Sequence, residues 1–399
     1  MTVKVAIVTE SFLPRVNGVT NSVCRVLEHL RRSGMDGMVI SPAPGPTEYA
    51  GFEVRTVPGF ALPKYRSFVL GVPTLKVEEH LRDYQPDVVH LASPFLLGAS
   101  GAAAARRLDI PSVAVFQTDV AGFVRRNGIR GTDRLIWRWL RKVHQQADLT
   151  LAPSTATVDQ LADHGIPRVQ LWRRGVDLER FTPRHRDEEL RRRLAPNGEV
   201  LVGYVGRLSA DKRPHLLAHL ADLPGVQLVV VGDGPAEAQT RQQLPGAHFL
   251  GFQTGQQLSR TLASLDVFVH LGADETFCQA IQEALAAGVP VVAPAAGGPL
   301  DLVEHGATGF LYPPESVTGL RSAVNRLVRE PATRTRFGHQ ARRSVQGRTW
   351  EAVCDQLLGY YAQARAVAGH GAALPTWYPT GLDRARLTQP TESTPAWRR

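Results

Sequence analysis

What most constrains this chain is a rhythm. Short apolar runs alternate with longer segments of helical period: Val3–Val8, then a helix to about Ser33; Asp87–Leu91, then an Ala-rich helix over 96–107; Ser112–Phe116; Asp148–Ala152, then a helix over 155–164. Apolar runs this short, bounded by turn residues, fit strands buried on both faces. Strands separated by helices pair as a parallel sheet with helices on either side. Ser154 is placed to cap the helix that follows it, and Gly165 to close it. Residues 181–199 break the rhythm with Pro183, a charge run from Arg184 to Arg193, and Pro196-Asn197-Gly198, so a linker is expected there. The alternation then restarts at Val200–Val205, Gln227–Val231, Val267–His270 and Val289–Ala293. The expectation is an α/β chain of two doubly wound domains: residues 1–180, and, after the linker, 200–349. A helix over 350–368 follows the second sheet, and 369–399, rich in Pro, Thr and Arg, read as a flexible tail.

A length of 399 residues is ample for two cores, and 43% hydrophobic with 21% charged residues is a globular composition. No uninterrupted apolar run approaches a membrane span, and no secretory leader is expected before the strand at Val3. Cys24, Cys278 and Cys354 have neither an even count nor metal-ligand spacing, which predicts reduced thiols in a cytosol. The net charge of +9 is compatible with a phosphate-bearing partner, whether nucleotide, lipid headgroup or RNA, and does not choose among them.

The chemistry concentrates in Asp274–Ala293. Glu275 lies in the loop between a strand and a helix expected over 277–287; Glu283 lies inside that helix, eight positions on and about 80° round the axis. Free N–H groups at a helix start favour an anion, and two carboxylates at different depths beside a phosphate suit a nucleotide sugar. A dipole-favoured first-turn glutamate and a solvated mid-helix one would give the same spacing. In the first half, the strand–turn–helix over Val3–Ser33 carries Asn17-Gly18 in its turn, a geometry for presenting backbone N–H groups, though not the three-glycine dinucleotide fingerprint.

Four second-half features fall at expected carboxyl ends of strands: Gly206-Arg207 to Lys212, Gly232-Asp233-Gly234-Pro235, the Glu275/Glu283 pair, and Gly297-Gly298-Pro299. As an ordered set they resemble the retaining glycosyltransferases of family 4, over roughly residues 1–366. That resemblance implies the GT-B fold, two facing Rossmann-like domains with the acceptor on the first and the nucleotide sugar on the second. It implies that Arg207 and Lys212 grip the donor diphosphate, and that Glu283 binds the ribose hydroxyls. Glu275 with the backbone of Phe277 and Cys278 would hold the transferred sugar and its phosphate, near Gly206, Gly232 and Gly234. Asn17 and Gly18 would form the first-domain loop nearest phosphate and acceptor, and the helix 350–368 would cross back to the first domain. Fixed cations suit a leaving diphosphate, whose charge grows in the transition state. No Asp-x-Asp triplet is present, so neither a metal nor a cofactor is expected.

One departure stands out. Many family members carry a histidine just after the strand that here ends at Phe116; this chain has Gln117, which hydrogen-bonds but does not shuttle protons. An enzyme base would have to be Asp119, which reads equally as a turn residue; attack from the leaving-group face, with the phosphate taking the proton, needs none. The Gln-Thr-Asp-Val and Glu-Thr-Phe-Cys-Gln stretches resemble actinobacterial enzymes moving mannose from GDP-mannose to a glycolipid. A UDP-sugar transferase and a catalytically silent sugar-nucleotide-binding regulator are the alternatives. Finally, Arg125, Arg126, Arg130, Arg134, Arg138, Arg141 and Lys142 are interleaved with Phe123, Ile129, Trp137 and Trp139. That pattern suits an anionic membrane surface, where the enzyme would sit peripherally on the inner face of the plasma membrane; it suits equally a solvated helix whose tryptophans pack inward. No nucleic-acid recognition module accompanies the charge.

Overall fold

The computed structural model describes residues 2–62, 65–72, 75–118, 122 and 133–368. Asp119, Arg125, Arg126, Arg130 and the expected tail lie outside the described residues.

The first sheet contains β1 (Lys4–Val8), β2 (Asp36–Pro42), β3 (Glu48–Tyr49) and β4 (Phe52–Val57). A separate hairpin of β5 (Gly59–Leu62) and β6 (Tyr65–Gly71) follows, and the sheet resumes with β7 (Val88–Leu91), β8 (Ser112–Val115), β9 (Leu149–Ala152) and β10 (Val169–Leu171). The order is β10-β9-β8-β7-β1-β2-β4-β3, parallel except for the β3–β4 pair. Alternation along β1 shows why both faces must be covered. Val5 and Ile7 pack with Val23, Leu27 and Leu30 of the helix Gly18–Arg32, while Ala6 and Val8 pack with Leu81, Leu97 and Ala105 on the other side.

The second sheet contains β11 (Val200–Val205), β12 (Val226–Val231), β13 (His248–Gly251), β14 (Val267–Val269), β15 (Val291–Pro294) and β16 (Gly309–Tyr312). They are ordered β13-β12-β11-β14-β15-β16, all parallel. This is the doubly wound arrangement, whose crevice opens where the strand order reverses, between β11 and β14. In the first sheet the reversal falls between β1 and β7. Both switch points are therefore at central strands, and the residues following β1 and β11 are the ones placed to meet a ligand.

Residues 181–199 are structured. Pro183–His185 form a short 3-10 turn, and Glu188–Leu194 a helix capped by Asp187, whose Oδ1 accepts from Glu189 N and Leu190 N at 3.0 Å. Phe181, Leu194 and Ala195 join the core beneath the second sheet, and Arg191 is paired with Asp266 at 3.0 Å. The second half of the charge run that reads as a linker is a helix docked on the second domain, through Leu190 and Leu194 on the core and Arg191 on Asp266. The helix expected over 277–287 spans Gln279–Ala286, because Cys278 sits at φ +79°, where a helix cannot continue.

The last described helix, Trp350–Ala368, lies on the first sheet. Trp350, Val353, Leu357 and Tyr361 pack with Val5, Val113 and Leu151, Trp172 Nε1 donates to Val353 O at 2.9 Å, and Tyr361 Oη meets His90 Nδ1 at 2.7 Å. Among the described residues, no helix is long and apolar enough to cross a membrane.

Candidate active site

The loops at the carboxyl ends of the two sheets touch. Thr276 Oγ1 donates to Gln117 O at 3.3 Å, and Thr157 Oγ1 to Thr276 O at 3.4 Å. Arg173 meets Asp301 at 3.2 Å, and Asp301 also accepts from Thr155 N at 3.0 Å. Gln117, left as the departure from the family pattern, thus lies beside the loop that carries Glu275.

On the second sheet the glycines shape the loops that bear charge. A Cβ on Gly232 (φ +129°) would sit 2.0 Å from Gly206 O, and one on Gly234 (φ +147°) 2.4 Å from Leu208 O. Only glycine lets the loop after β12 close against the loop after β11 that carries Arg207. The Gly297-Gly298 pair does the same beneath Glu275: added Cβ atoms would meet Glu275 O at 2.4 Å and Phe277 O at 2.1 Å. The packing accounts for both pairs without a ligand. Phe277's side chain is in the core, leaving only its backbone for the cleft.

Three titrating side chains and a thiol converge here. Lys212 Nζ bonds Glu275 Oε1, and His270 Nε2 stands 3.4 Å from the same oxygen. Cys278 Sγ lies 3.5 Å from His270 Nδ1. Burial by itself favours the neutral forms of all three titrating side chains, but their contacts outweigh it. Glu275 is held well below the usual carboxylate range by Lys212 and His270. Lys212 is raised by Glu275, and His270 is raised to about 10 by Cys278 and Glu275. Lys212 and His270 thus set two basic groups against one carboxylate, with exposed Arg207 nearby in the chain. His270, Glu275 and Cys278 bring possible ligand atoms within 4.8 Å of one another, but a cation there would compete with Lys212 for the Glu275 oxygen. His270 was legible in the sequence only as a polar residue ending an apolar strand.

Glu283 is the second carboxylate of the motif. Desolvation raises it to about 7, against the lowering effect of Arg180 and Gln279. On the same helix Gln279 Nε2 donates to Gly175 O at 3.0 Å and Gln282 Nε2 to Arg174 O at 2.9 Å.

On the first sheet, Asn17 caps the helix Gly18–Arg32. Its Oδ1 accepts from Val19 N and Thr20 N at 3.0 Å, and its Nδ2 donates to Ser11 Oγ at 2.6 Å. The side chain is thus engaged in the turn it was expected to offer to an acceptor. Gly18 is open, with nothing within 4 Å of an added Cβ. Glu10, unmarked by the motifs, is buried at the end of β1. Its Oε2 accepts from Gly71 N at 2.9 Å and its Oε1 from Leu97 N, tying the β5–β6 hairpin to the start of the helix Leu96–Arg107.

The basic segment splits in two. In the helix Asp133–His144, Arg134, Arg138, Arg141 and Lys142 face solvent, while the tryptophans pack inward: Trp137 on Phe116 and His164, Trp139 on Phe95. Arg134, Arg138 and Arg141 line a cavity of about 410 Å³ with Trp137, Gln160 and His164.

Two facing parallel-sheet domains with a cationic, glycine-shaped crevice between them define a GT-B sugar transferase. Residues 16–180 match the family described as Glycosyltransferase Family 4, and residues 185–344 that described as Glycosyl transferases group 1. A protein of Mycobacterium tuberculosis named GDP-mannose-dependent alpha-mannosyltransferase is 52% identical over 370 residues, covering 91% of this chain and 97% of that one. Another of that name, from Corynebacterium glutamicum, is 45% identical over 403 residues, covering 96% and 98%. Among solved structures, Anabaena Alr3699/HepE in complex with UDP superposes with a TM-score of 0.74 at 22% identity, covering 90% of this chain and 100% of that one. The chain belongs to the family 4 glycosyltransferases of GT-B fold and is an enzyme of that class.

Proposed function

We propose that the chain is a retaining α-mannosyltransferase that moves mannose from GDP-mannose to a glycolipid acceptor. The observation that carries the donor assignment is the 45–52% identity, over nearly the whole chain, to proteins named for that reaction. The site suits it. Arg207 and Lys212 stabilise the leaving diphosphate, Glu283 accepts from the ribose hydroxyls, and Glu275 with the backbone of Phe277 and Cys278 holds the sugar and its phosphate. Gly206, Gly232 and Gly234 hold the loop that presents Arg207. Phe252, 67% exposed in the loop after β13, offers a face to the base. Asn17-Gly18 and Gln117 border the acceptor side. The phosphate oxygen takes the acceptor proton, so Gln117 need only orient a hydroxyl.

Titration of GDP, UDP and ADP into metal-free protein tests this directly. Tight GDP binding, weakened at least about tenfold in Glu283→Ala, is the expected result, a loss that fits one charge-assisted hydrogen bond. A preference for UDP would overturn the mannose assignment but keep the UDP-sugar alternative. Donor binding without turnover on any acceptor would favour the regulator.

The acceptor reading rests on charge. Arg134, Arg138, Arg141 and Lys142 form an exposed basic face, each cation contributing about 1 kcal/mol near anionic headgroups. With Trp137 and Trp139 turned inward, the attraction is electrostatic, and this supports a peripheral seat on the inner face of the plasma membrane. Sedimentation with anionic vesicles at low salt, absent with neutral vesicles and lost at high salt, is expected. Equal binding to both vesicle types would remove the electrostatic reading.

A further inference from the structure

We infer that Arg174 is a positioning residue that locks the Gln117 amide and joins the acceptor-side loops to the donor helix. The inference deepens the transferase reading of this cleft and rests on it. Arg174 follows β10, and its guanidinium spans two loops of the first domain: Nη1 donates to Gly18 O at 3.0 Å and Nη2 donates to Gln117 Oε1. Gln117 Nε2 in turn donates to Ala92 O at 2.8 Å. A guanidinium only donates, so the amide oxygen must face it; a flipped amide would set NH₂ against NH₂. One amide hydrogen is then used by Ala92, and the second remains for a hydroxyl in the cleft. Gln117 is only 9% exposed, and Ala92 O, which only accepts, requires the same orientation from the other side.

The main chain of the same residue reaches across the cleft. Arg174 O accepts from Gln282 and Gly175 O from Gln279, both on the helix that carries Glu283. From the other direction Thr276, next to Glu275, donates to Gln117 O. Gln117 is thus held by its side chain through Arg174 and by its carbonyl through the donor-side loop. Desolvation brings Arg174 down to about 10, which leaves it charged at neutral pH. A histidine at position 117 would face this guanidinium and be kept neutral with a nitrogen lone pair toward it. The amide is the partner that both accepts from Arg174 and still donates to substrate. Lysine at 174 would not span Gly18 and Gln117 together, because an ammonium lacks the planar fork.

The test uses the full chain with GDP and GDP-mannose. Arg174→Ala should keep the wild-type GDP dissociation constant within about twofold and lower kcat by about 30-fold or more, the signature of an interaction used in transfer and not in donor binding. Arg174→Lys should fall between, and in a Gln117→Ala background the further loss from Arg174→Ala should be under about threefold, since the two act as one unit. Full additivity, or an unchanged kcat in Arg174→Ala, would overturn the proposal. So would a GDP affinity that falls in step with kcat. Hydrogen exchange gives a readout that does not need turnover. Arg174→Ala should speed exchange at Val19–Asn21 and around Gln117 while leaving the helix Gln279–Ala286 protected; unchanged exchange at both loops would overturn it, and loss of protection throughout would mark a merely structural role. Failure of the transferase reading itself looks different: the wild type would then bind no nucleotide.

Discussion

At the scale of single residues, burial and partner decide what each carboxylate is for. Glu275 is kept ionised by Lys212 and His270, whereas Glu10 and Glu283 are each raised to about 7 by desolvation. Glu10 makes a measurable consequence. Its folded value lies above its ordinary 4.5, so the native state holds a proton that the unfolded chain releases first. The stability this contributes is fully present below about pH 4.5 and is lost as pH rises through about 7, with a slope of up to about 1.4 kcal/mol per pH unit. Glu10→Gln should therefore be less stable than wild type at pH 5, where an amide NH₂ meets Gly71 N, and should close that gap towards pH 8. Urea midpoints across this range check it; a gap constant with pH would mean that Glu10 does not titrate there.

Among elements, the candidate site is carried by loops together with the helix that bears Glu283, and glycine sets the shape of the loops. Gly298→Ala must push Phe277 O away from 2.1 Å, and with it the Glu275–Cys278 loop. It should cost about 2 kcal/mol or more, as expected when backbone packing is forced apart. Gly18→Ala meets nothing within 4 Å and starts a helix, so its thermal stability should match wild type within about 0.5 kcal/mol. Differential scanning calorimetry of the two variants side by side distinguishes a glycine needed for packing from one that is free. Cys278 belongs to the same argument: at φ +79° it occupies backbone space that glycine fills more easily, and the helix therefore starts at Gln279, two residues later than its sequence period implies.

At the scale of the whole molecule, the helix Trp350–Ala368 fastens the end of the chain to the first sheet. The bond between Tyr361 Oη and His90 Nδ1 is buried, and burial holds His90 near 3, neutral at any physiological pH. Tyr361→Phe would leave a buried ring nitrogen without its partner, at a cost of about 1–3 kcal/mol. The loss should show as a lower urea midpoint with an unchanged slope, while GDP affinity, which belongs to the other sheet, should stay as in wild type. A simultaneous loss of GDP binding would show that the helix supports the cleft as well as the fold.

The strand–helix alternation determined the two parallel sheets, because buried strands and amphipathic helices must each write their period locally. The order of Arg207, Lys212, Glu275 and Glu283 was legible for the same reason, since each follows or sits in an element with a clear pattern. Tertiary structure decided the rest. The charge run at 184–193 reads as a linker until Arg186 and Arg191 are seen paired with Asp266, and Leu190 packed on the second core. Glu10, His270 and Arg174 carry no local signature, because their significance comes from partners far away in sequence. Arg174 meets Gly18 and Gln117 only where three loops of one sheet converge, and Gln282 only where the second domain closes on them. Electrostatic roles of this kind depend on distance and desolvation, which a sequence does not contain until the chain has folded.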